Sequence, residues 1–331
     1  YTSGTTGVPK GVMLSHENIS FNAVTSFSGM TGYRRGPGGE EGLSFLPLTH
    51  VFARALYYGF LESGTSISFS TPDTIGDDLR EVQPTVFAAV PRVVEKVYAR
   101  FLERAAVLPK AKRKLFEWAL GLARQFRIGE APAGMYAVKL KLADRLVFSK
   151  WREGLGNKVA YIICGGAALS GELANIFAAA GIQILQGYGL TETSPVIAFN
   201  RPSLKRAGTV GVPIPEVEVA IAEDGEILTR GPHVMLGYYD AVEKTAEVID
   251  SDGWFHTGDI GEFDSDGFLR ITDRKKDLFK LSTGKYVMPQ PLEHKLAAEA
   301  LIDQAVVIGF GRKFCTGLIF PSESALRTLA G

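Results

Sequence analysis

The chain has 331 residues, 46% of them hydrophobic, and its 36 Lys and Arg balance 36 Asp and Glu, so the formal net charge is +0. This length predicts about two globular domains, and the balanced charge argues against a protein that binds nucleic acid through overall charge. Cys164 and Cys315 have no CxxC partner and no histidine at ligand spacing, which predicts buried, reduced thiols in a cytoplasmic protein. No apolar run approaches the roughly 20 residues of a membrane-spanning helix.

The chain opens on YTSGTTGVPKG, a loop of small and hydroxyl-bearing residues with one cation, Lys10. Unhindered backbone N–H groups, hydroxyl donors and a lysine together suit a polyphosphate. A flexible linker is the alternative, but a linker has no need for the Pro-Lys-Gly that closes the loop. The pattern also differs from a Walker A loop, which ends in Gly-Lys-Ser or Gly-Lys-Thr. Because the first residue is not Met and such a loop normally lies between two strands, we expect both ends of the chain to be cut.

Helical patterns follow the loop. Ser15 is suited to be the N-cap of a helix over residues 16–27, with Glu17 in its first turn. Apolar residues recur at helical spacing over residues 92–106 and again over residues 115–126. These two segments are therefore predicted to be amphipathic helices.

The pattern changes at residue 159. An apolar run over residues 159–163, a turn at Gly165 and Gly166, a helix over residues 173–180 and a second apolar run over residues 182–185 predict a strand, helix, strand unit of the parallel α/β kind. Ligands of such sheets bind just past the carboxyl ends of the strands. The turns at residues 164–170 and 186–193 are therefore candidate sites.

The last third of the chain has a different pattern. Short apolar segments separated by Asp-Gly turns at residues 224–225, 252–253 and 266–267 predict a small antiparallel β subdomain. A charged run at residues 273–277, which alone would be typical of solvated surface, precedes a mixed segment with one predicted helix over residues 293–300. We expect residues 1–273 to form one domain, with residues 205–272 as its β subdomain, and residues 274–331 to begin a second domain.

The whole opening string resembles the signature loop of the adenylate-forming superfamily, which contains acyl-CoA synthetases, peptide-synthetase adenylation domains and beetle luciferases. Later motifs follow in that family's order, at residues 46–50, 164–167, 186–193, 253–259 and 273–277. The resemblance covers nearly the whole chain. It implies an α/β fold with an incomplete N-terminal domain, built of parallel α/β sheets and a small β-barrel-like subdomain, followed by the start of a small α+β C-terminal domain.

The resemblance also implies that ATP, Mg²⁺ and coenzyme A are ligands. The opening loop would hold the phosphates through Lys10 and through Thr2, Ser3, Gly4, Thr5, Thr6 and Gly7. Glu192 would coordinate Mg²⁺ together with Thr2, Thr191 would meet the α-phosphate, and Tyr188 would lie along the adenine; a carboxylate, a hydroxyl and an aromatic ring suit these contacts chemically. The remaining nucleotide-binding positions of these motifs are Gly165, Gly166, Ala167, Gln186, Gly187 and Gly189.

Further roles come from the resemblance alone. Asp259 would accept hydrogen bonds from the ribose hydroxyls, with Arg274 nearby, although a carboxylate in a turn is usually solvated or capping. Lys276 would be the hinge about which the C-terminal domain turns, and Lys280 would face nucleotide in one domain orientation. His50 would lie near the acyl carboxylate, although a lone histidine is more often structural.

The nature of the acid is indicated by two comparisons within the family. Amino-acid-activating relatives carry an Asp near the position of His50, and residues 46–54 contain no acidic residue. Residues 83–92, 115–127 and 143–148 resemble the long-chain fatty acid branch. Basic residues at the head of the second predicted helix suit contact with a membrane that holds such acids, although a solvated helix end explains them equally well; they are Lys110, Lys112, Arg113 and Lys114.

The implied function is a ligase that forms a carbon–sulfur bond. The fatty acid carboxylate would attack the α-phosphorus of ATP with release of pyrophosphate, and coenzyme A would then take the acyl group from acyl-AMP. Lys10, Thr191, Glu192 and His50 would act by positioning and charge neutralisation. The chain ends before the family's C-terminal lysine. The alternatives are a non-ligating ATP- or acyl-binding protein and another acyl-adenylating relative, such as a fatty acyl-AMP ligase or a luciferase-like enzyme.

Overall fold

The computed structural model describes residues 1–2, 9–275, 277–297, 299, 301–323 and 325–326. A seven-stranded sheet organises the larger part of this chain. Its first five strands in spatial order run parallel and the last two antiparallel. The strands in that order are β3 (Ser66–Phe69), β2 (Glu41–Ser44), β4 (Val86–Ala89), β5 (Tyr161–Cys164), β6 (Gln183–Gly189), β7 (Val196–Phe199) and β8 (Val212–Pro213).

Helices cover both faces of this sheet. They are α1 (His16–Ser28), α2 (Val51–Ser63), α3 (Ile75–Val82), α4 (Pro91–Ala106), α5 (Lys110–Gln125), α6 (Gly134–Ala143), α7 (Ser149–Gly154) and α8 (Gly171–Ala179), with a π-helical turn at Asp144–Phe148. Strand β4 shows the division between the two faces, because its side chains alternate: Phe87 joins a core cluster with α4, α5 and α8, and Val86 joins a second cluster with α1 and α2. Buried on both faces, the sheet has the arrangement typical of parallel α/β proteins.

The predicted elements in this region are confirmed with shifted ends. Helix α1 begins after Ser15, whose Oγ accepts a hydrogen bond from Asn18 N at 3.0 Å while Asn18 Oδ1 accepts one from Ser15 N at 2.8 Å. The predicted strand, helix, strand unit is β5, α8 and β6. The predicted turn at residues 186–193 is wrong in its first half, because β6 continues to Gly189 through pairing with β7; a 3₁₀ turn at Thr191–Thr193 follows.

The predicted antiparallel subdomain is a four-stranded sheet. Its strands are β9 (Glu218–Ile221), β10 (Glu226–Arg230), β12 (Phe255–Phe263) and β13 (Leu269–Arg274), in the spatial order β13, β12, β10, β9. The Asp-Gly turns at residues 224–225 and 266–267 join neighbouring strands, as expected. A separate pair, β1 (Val12–Met13) with β11 (Gly237–Tyr238), and the short helix α9 (Val242–Ala246) connect this region to the opening loop. Strand β8 extends the seven-stranded sheet, so residues 212–213 lie outside the antiparallel subdomain.

In its described residues, the last segment contains two hairpins and the helix α10. The hairpins pair β14 (Phe279–Lys280) with β15 (Tyr286–Val287), and β16 (Ile302–Ile308) with β17 (Thr316–Pro321). The helix predicted over residues 293–300 begins four residues earlier as α10 (Pro289–Ala297), because Pro289 occupies a first-turn position that needs no N–H donor. Residues 298 and 300 lie outside the described residues.

The two cysteines differ in environment. Cys164 is buried at the end of β5, where burial raises the pKa of its thiol to about 12. Cys315 is exposed, so the prediction that both thiols are buried is wrong for Cys315, which lies just before the exposed strand β17. Within the described ranges, no helix is both long and apolar enough to cross a membrane.

Candidate nucleotide-binding site

A cavity of about 780 Å³ opens at the carboxyl ends of β5 and β6. The antiparallel subdomain closes one side of the cavity and helices α1 and α2 close the other. Parallel strands present their terminal turns at one edge of the sheet, which explains why motifs distant in sequence meet here. The predicted site residues that line the cavity are Thr2, Lys10, His50, Gly165, Gly166, Gly187, Tyr188, Gly189, Thr191, Glu192, Asp259 and Arg274.

The two ends of the opening loop are joined at the cavity. Thr2 N donates to Lys10 O at 3.0 Å, and Lys10 N donates to Thr2 O at 2.9 Å, which is an antiparallel bridge across the loop. The predicted phosphate contacts at Ser3, Gly4, Thr5, Thr6 and Gly7 lie outside the described residues. The bridge therefore fixes where the loop leaves and re-enters the fold, with Lys10 at its closing end.

Glu192 is a buried carboxylate without a cationic partner among the described residues. It is 9% exposed, and its Oε1 accepts a hydrogen bond from the Tyr238 hydroxyl at 2.9 Å. Burial, and next the negative charge of Glu192, raise the pKa of Tyr238 above its ordinary value, so this hydroxyl stays protonated and donates. Lys10 Nζ lies 4.6 Å from the centroid of the Tyr238 ring, so the lysine is held over the ring.

These contacts fit a magnesium ion bound with a phosphate ligand. No cluster of three or more His, Cys, Asp or Glu suited to metal binding occurs among the described residues, so the side chains alone do not form a closed metal cage. Mg²⁺ in phosphate sites is usually held by one or two carboxylates, with substrate phosphates and water completing its octahedron. A buried carboxylate that lacks a cation is costly by itself. The chemistry of Glu192, together with that of Thr2, which also lines the cavity, therefore suits this role.

The turn that carries Thr191 and Glu192 is fixed by buried polar side chains. Thr193 Oγ1 accepts a hydrogen bond from Leu190 N at 2.9 Å. Asn22 of α1, fully buried, accepts from Val196 N at 3.1 Å through Oδ1 and donates to Val196 O at 2.8 Å through Nδ2. Sequence analysis missed Asn22; the signal was a polar residue on the apolar face of a predicted helix.

Asp259 has the opposite arrangement, because a cation contacts it directly. Its Oδ2 accepts a hydrogen bond from the Tyr188 hydroxyl at 2.7 Å, and its Oδ1 accepts one from Arg274 Nε at 3.1 Å. The prediction that Asp259 lies in a turn is wrong, because Asp259 lies within β12 and pairs with Arg274 of β13. Burial raises the pKa of Asp259, against the lowering effects of Tyr188 and Arg274, and burial together with Asp259 raises the pKa of Tyr188. Each carboxylate oxygen keeps a lone pair for a further donor, such as a sugar hydroxyl.

A third buried carboxylate, Glu226, was not predicted. It accepts hydrogen bonds from Lys275 Nζ at 2.7 Å and from Gly258 N at 2.9 Å, and His256 Nδ1 lies 3.3 Å away. Lys275 Nζ also lies 2.6 Å from Asp224 Oδ2. Burial acts to raise the pKa of Glu226, but the hydrogen bonds from Lys275, Gly258 and His256 outweigh it and hold this pKa below its ordinary value. Glu226 therefore ties the part of β12 just before Asp259 to the charged run.

Two glycines of the predicted site allow close approaches. A Cβ on Gly165 would lie 3.4 Å from the Phe52 ring and 3.6 Å from Gly187 O, so a larger side chain there would narrow the cavity. A Cβ on Gly189 would lie 1.8 Å from Pro195 O, which excludes any side chain where β6 meets β7. Glycine is thus required at position 189 for a structural reason that is independent of any ligand.

Some predicted residues lie at or beyond the cavity margin. His50 lines the cavity and is also the N-cap of α2, because its Nδ1 accepts a hydrogen bond from Phe52 N at 3.2 Å. Ala167 is exposed, and Gln186 is buried in β6; neither lines the cavity. Lys280 lies outside it in the β14–β15 hairpin, with Nζ 5.2 Å from the Tyr286 ring centroid. Lys276 lies outside the described residues.

The side chains that α1, α2 and β7 contribute to the cavity are mostly apolar, with Asn22 and Ser26 of α1 as polar members. This apolar wall includes Ala23, Phe27, Met30, Leu56 and Phe199. Sequence analysis did not predict this wall, because its members come from three elements that each read as ordinary core. The cavity is therefore amphipathic: it suits a ligand with a charged, phosphate-bearing part and an apolar part.

A family model described as AMP-binding enzyme matches residues 1–239, and one described as AMP-binding enzyme C-terminal domain matches residues 276–329. Among curated relatives, the long-chain-fatty-acid–CoA ligase FadD15 of Mycobacterium bovis is 39% identical over 328 residues, covering 96% of this chain and 53% of the relative. Long chain acyl-CoA synthetase 4 of Arabidopsis thaliana is 37% identical, covering 100% of this chain and 52% of the relative. The chain thus spans about half the length of these relatives.

Solved structures agree with the fold. The crystal structure of ATP-bound MatB from Rhodopseudomonas palustris matches with a TM-score of 0.72 at 25% identity, covering 100% of this chain and 60% of that one. An ATP-bound chimera named RpMatB-BxBclM B1 matches with a TM-score of 0.71 at 26% identity, covering 98% of this chain and 57% of that one. Both structures contain ATP, the kind of ligand that suits the polar part of the cavity.

Proposed function

This chain belongs to the AMP-binding enzyme family, and from that premise we propose that the protein is a long-chain fatty acid–CoA ligase. It would join ATP and a fatty acid into acyl-AMP with release of pyrophosphate, and then transfer the acyl group to coenzyme A. The observation that carries the proposal is the amphipathic cavity, which is lined both by buried Glu192 and Asp259 and by apolar side chains of α1, α2 and β7. The names of the curated relatives support the same substrates.

Each side chain of the site is proposed to contact a different part of the substrates. We propose that Lys10 and the opening loop bind the phosphates, that Thr191 contacts the α-phosphate, and that Tyr188 and Asp259 bind the adenosine. Asp259, already fixed by Tyr188 and Arg274, would accept the ribose hydroxyls without reorganising. His50, at the start of α2, would lie beside the acyl carboxylate. Positioning of this kind converts a bimolecular attack on phosphorus into an effectively unimolecular step.

Charge neutralisation is the second contribution. Mg²⁺, held by Glu192 and Thr2, would neutralise charge that develops on the oxygens of the α-phosphate under attack. Lys10 would add a further positive charge from its place over the Tyr238 ring. We also propose that residues 1–273 and 274–331 belong to two domains, with Lys276 as the hinge and with Lys280 facing nucleotide in another orientation of the second domain.

The test is a pair of assays on the full-length protein with ATP, magnesium and palmitate. We expect palmitate-dependent exchange of labelled pyrophosphate into ATP without coenzyme A, and palmitoyl-CoA once the thiol is added. An amino acid and acetate serve as controls that should support little exchange. Nucleotide binding without exchange would contradict the proposal in favour of a non-ligating protein. Acyl-AMP that persists in the presence of coenzyme A would instead indicate an adenylating enzyme of another class.

We further propose that the fatty substrate brings the protein to a membrane surface. Long acyl chains partition into bilayers, so an enzyme that consumes them gains from working at the interface. Helix α5, whose basic head was expected to make this contact, buries its apolar face against the core. Its contribution would therefore be electrostatic.

A further inference from the structure

The helix that follows α5 has the exposed apolar face that α5 lacks. In α5 the apolar residues Phe116, Ala119, Leu120 and Ala123 are buried. In α6 and the π-helical turn after it, four apolar residues are exposed instead: Met135 (68%), Val138 (62%), Leu142 (49%) and Leu146 (45%). They recur every three or four positions, so they follow one another along one face. We call these four residues the α6 stripe.

The stripe is not needed to hold α6 in place. The opposite side of the same segment is anchored, because Ala143, Val147 and Phe148 are buried in the core and the Tyr136 hydroxyl donates to Leu122 O at 3.1 Å. Met135 borders a surface pocket beside Trp118 and Leu122 of α5, and all four residues of the stripe are at least 45% exposed. Four adjacent exposed apolar side chains on one surface are typical of a contact site rather than of scattered surface residues.

Unpaired cations flank the stripe. Lys139, Lys141 and Arg145 are exposed, and none of them contacts a carboxylate within the part of the chain that the structure describes. The nearby carboxylates are already engaged: Asp144 Oδ1 lies 2.5 Å from Arg152 Nη1, and Glu153 Oε1 lies 2.7 Å from Lys150 Nζ. The local charge of this surface is therefore positive.

A second basic cluster lies towards the end of the stripe that carries Leu146. Helices α5 and α6 run antiparallel, because Tyr136 near the start of α6 contacts Leu122 near the end of α5. The start of α5 lies close to α7, since the ring centroids of Phe116 and Trp151 are 6.0 Å apart. The basic head of α5 therefore lies at the same end of the α5–α6 pair as Leu146. It consists of Lys110, Lys112, Arg113 and Lys114.

We propose that the α6 stripe docks the protein on an anionic lipid bilayer, with Lys139, Lys141 and Arg145 contacting lipid headgroups. An apolar stripe between cations is the pattern of a helix that lies in the plane of a membrane interface. Charge complementarity favours a lipid surface with negative headgroups over an uncharged apolar partner. The inference rests on the proposed function in one respect: an enzyme that consumes fatty acids would meet them at the membrane surface.

The experiment measures partitioning of the full-length protein onto sedimented vesicles, without ATP or fatty acid. Vesicles of phosphatidylcholine alone are compared with vesicles that contain phosphatidylglycerol, at low and high salt. We expect binding to the anionic vesicles that weakens with salt. The double variant Val138→Ser with Leu142→Ser should lower partitioning by about tenfold or more. Each of Lys139→Gln, Lys141→Gln and Arg145→Gln should lower it about fivefold.

Matched controls use an exposed apolar residue and a cation of another helix. Val242, 82% exposed, and Lys244 lie in α9, and Val242→Ser and Lys244→Gln should leave partitioning unchanged. Equal losses in these controls and in the stripe variants would overturn the proposal.

Two other partners could cover the stripe, and each predicts a different result for the double variant. If residues outside the described chain cover it, Val138→Ser with Leu142→Ser will lower the melting temperature and leave vesicle binding intact. If a second copy of the protein covers it, the same variant will lower the mass measured by light scattering and leave vesicle binding intact. Either result would overturn the proposal. Because no substrate is present, this outcome is independent of whether the protein proves to be a ligase.

Discussion

Glu192 and Asp259 line the same cavity, but the negative charges of the two buried carboxylates are accompanied by different groups. Both carboxylates are buried, and both accept a hydrogen bond from a tyrosine hydroxyl, Tyr238 in one case and Tyr188 in the other. Arg274 contacts Asp259 directly, whereas Lys10 lies over the ring of Tyr238, the residue that donates to Glu192. The difference is thus in the charge that accompanies each carboxylate.

This difference indicates what each carboxylate is suited to bind. A carboxylate whose charge is already balanced by Arg274 is suited to accept hydrogen bonds from neutral hydroxyls, as a ribose offers. A buried carboxylate without a cation has charge left to balance, which a metal ion would supply. Replacing each carboxylate with its amide removes the charge and keeps the shape. This replacement is therefore expected to have different effects at Glu192 and at Asp259.

The largest effect should come from Glu192→Gln. The amide can still accept the Tyr238 hydrogen bond, so the fold is preserved while the negative charge is lost. If Glu192 holds magnesium, we expect pyrophosphate exchange to fall on the order of 100-fold, equivalent to about 3 kcal/mol of transition-state stabilisation. The apparent magnesium requirement should rise in the same assay. Glu247→Gln, which changes a carboxylate elsewhere on the cavity wall, is the matched control. Exchange at the normal rate in Glu192→Gln would remove this residue from the metal site.

The next largest effect is expected from Asp259→Asn, with opposite consequences for binding and stability. Loss of a charged acceptor should weaken ATP binding by about tenfold or more, which calorimetry measures. The pKa of Asp259 is raised in the fold, so the stability it contributes is present below its unfolded pKa and is lost as pH rises through its folded pKa. The neutral amide avoids that loss. We therefore expect the melting temperature at neutral pH to be unchanged or higher, while a clear drop would show that the Arg274 contact outweighs the cost of burial.

Glu226 extends the comparison to a third carboxylate, which has the cation Lys275. Removing that cation with Lys275→Met leaves Glu226 buried with fewer donors and should lower the free energy of unfolding by about 1–2 kcal/mol. The pKa of Glu226 is depressed, so its stabilising effect is present above the unfolded pKa and is lost as pH falls through the folded pKa.

The difference between the wild type and Lys275→Met should therefore be largest near neutral pH and shrink in acid. Denaturant unfolding at several pH values measures it. The double variant with Glu226→Gln is the control, because Lys275→Met should cost less once the buried charge is gone. A cost that does not depend on pH or on Glu226 would assign the effect to packing of the lysine stem.

The sequence predicted the parts of this site that local patterns encode. The family resemblance of the opening loop is confirmed by the match over residues 1–239, and the β5, α8, β6 unit follows from strand and helix patterns. Tyr188 and Asp259 were both predicted in turns, whereas they lie within β6 and β12. The roles assigned to individual residues from the family motifs remain predictions. Tyr238, Asn22 and Glu226 were missed because their importance arises from contacts over 46, 174 and 32 positions of chain with Glu192, Val196 and Gly258. Contacts between residues so far apart in the sequence produce no local periodic pattern from which they could be predicted.

The smallest effect should come from the two tyrosines, and it tests the comparison most directly. Tyr238→Phe removes the only hydrogen bond that a described side chain gives to Glu192, whereas Tyr188→Phe leaves Asp259 with Arg274. An unsatisfied buried acceptor costs about 1–3 kcal/mol, more than the loss of one of two partners. Without magnesium and ATP, we therefore expect Tyr238→Phe to destabilise the protein by about 1 kcal/mol more than Tyr188→Phe in denaturant unfolding. Saturating magnesium and ATP should narrow that gap, because a bound cation would satisfy Glu192 in place of the lost hydroxyl. A gap that stays the same with the ligands, or that has the opposite sign, would mean that the charge environments of the two carboxylates do not govern what they bind.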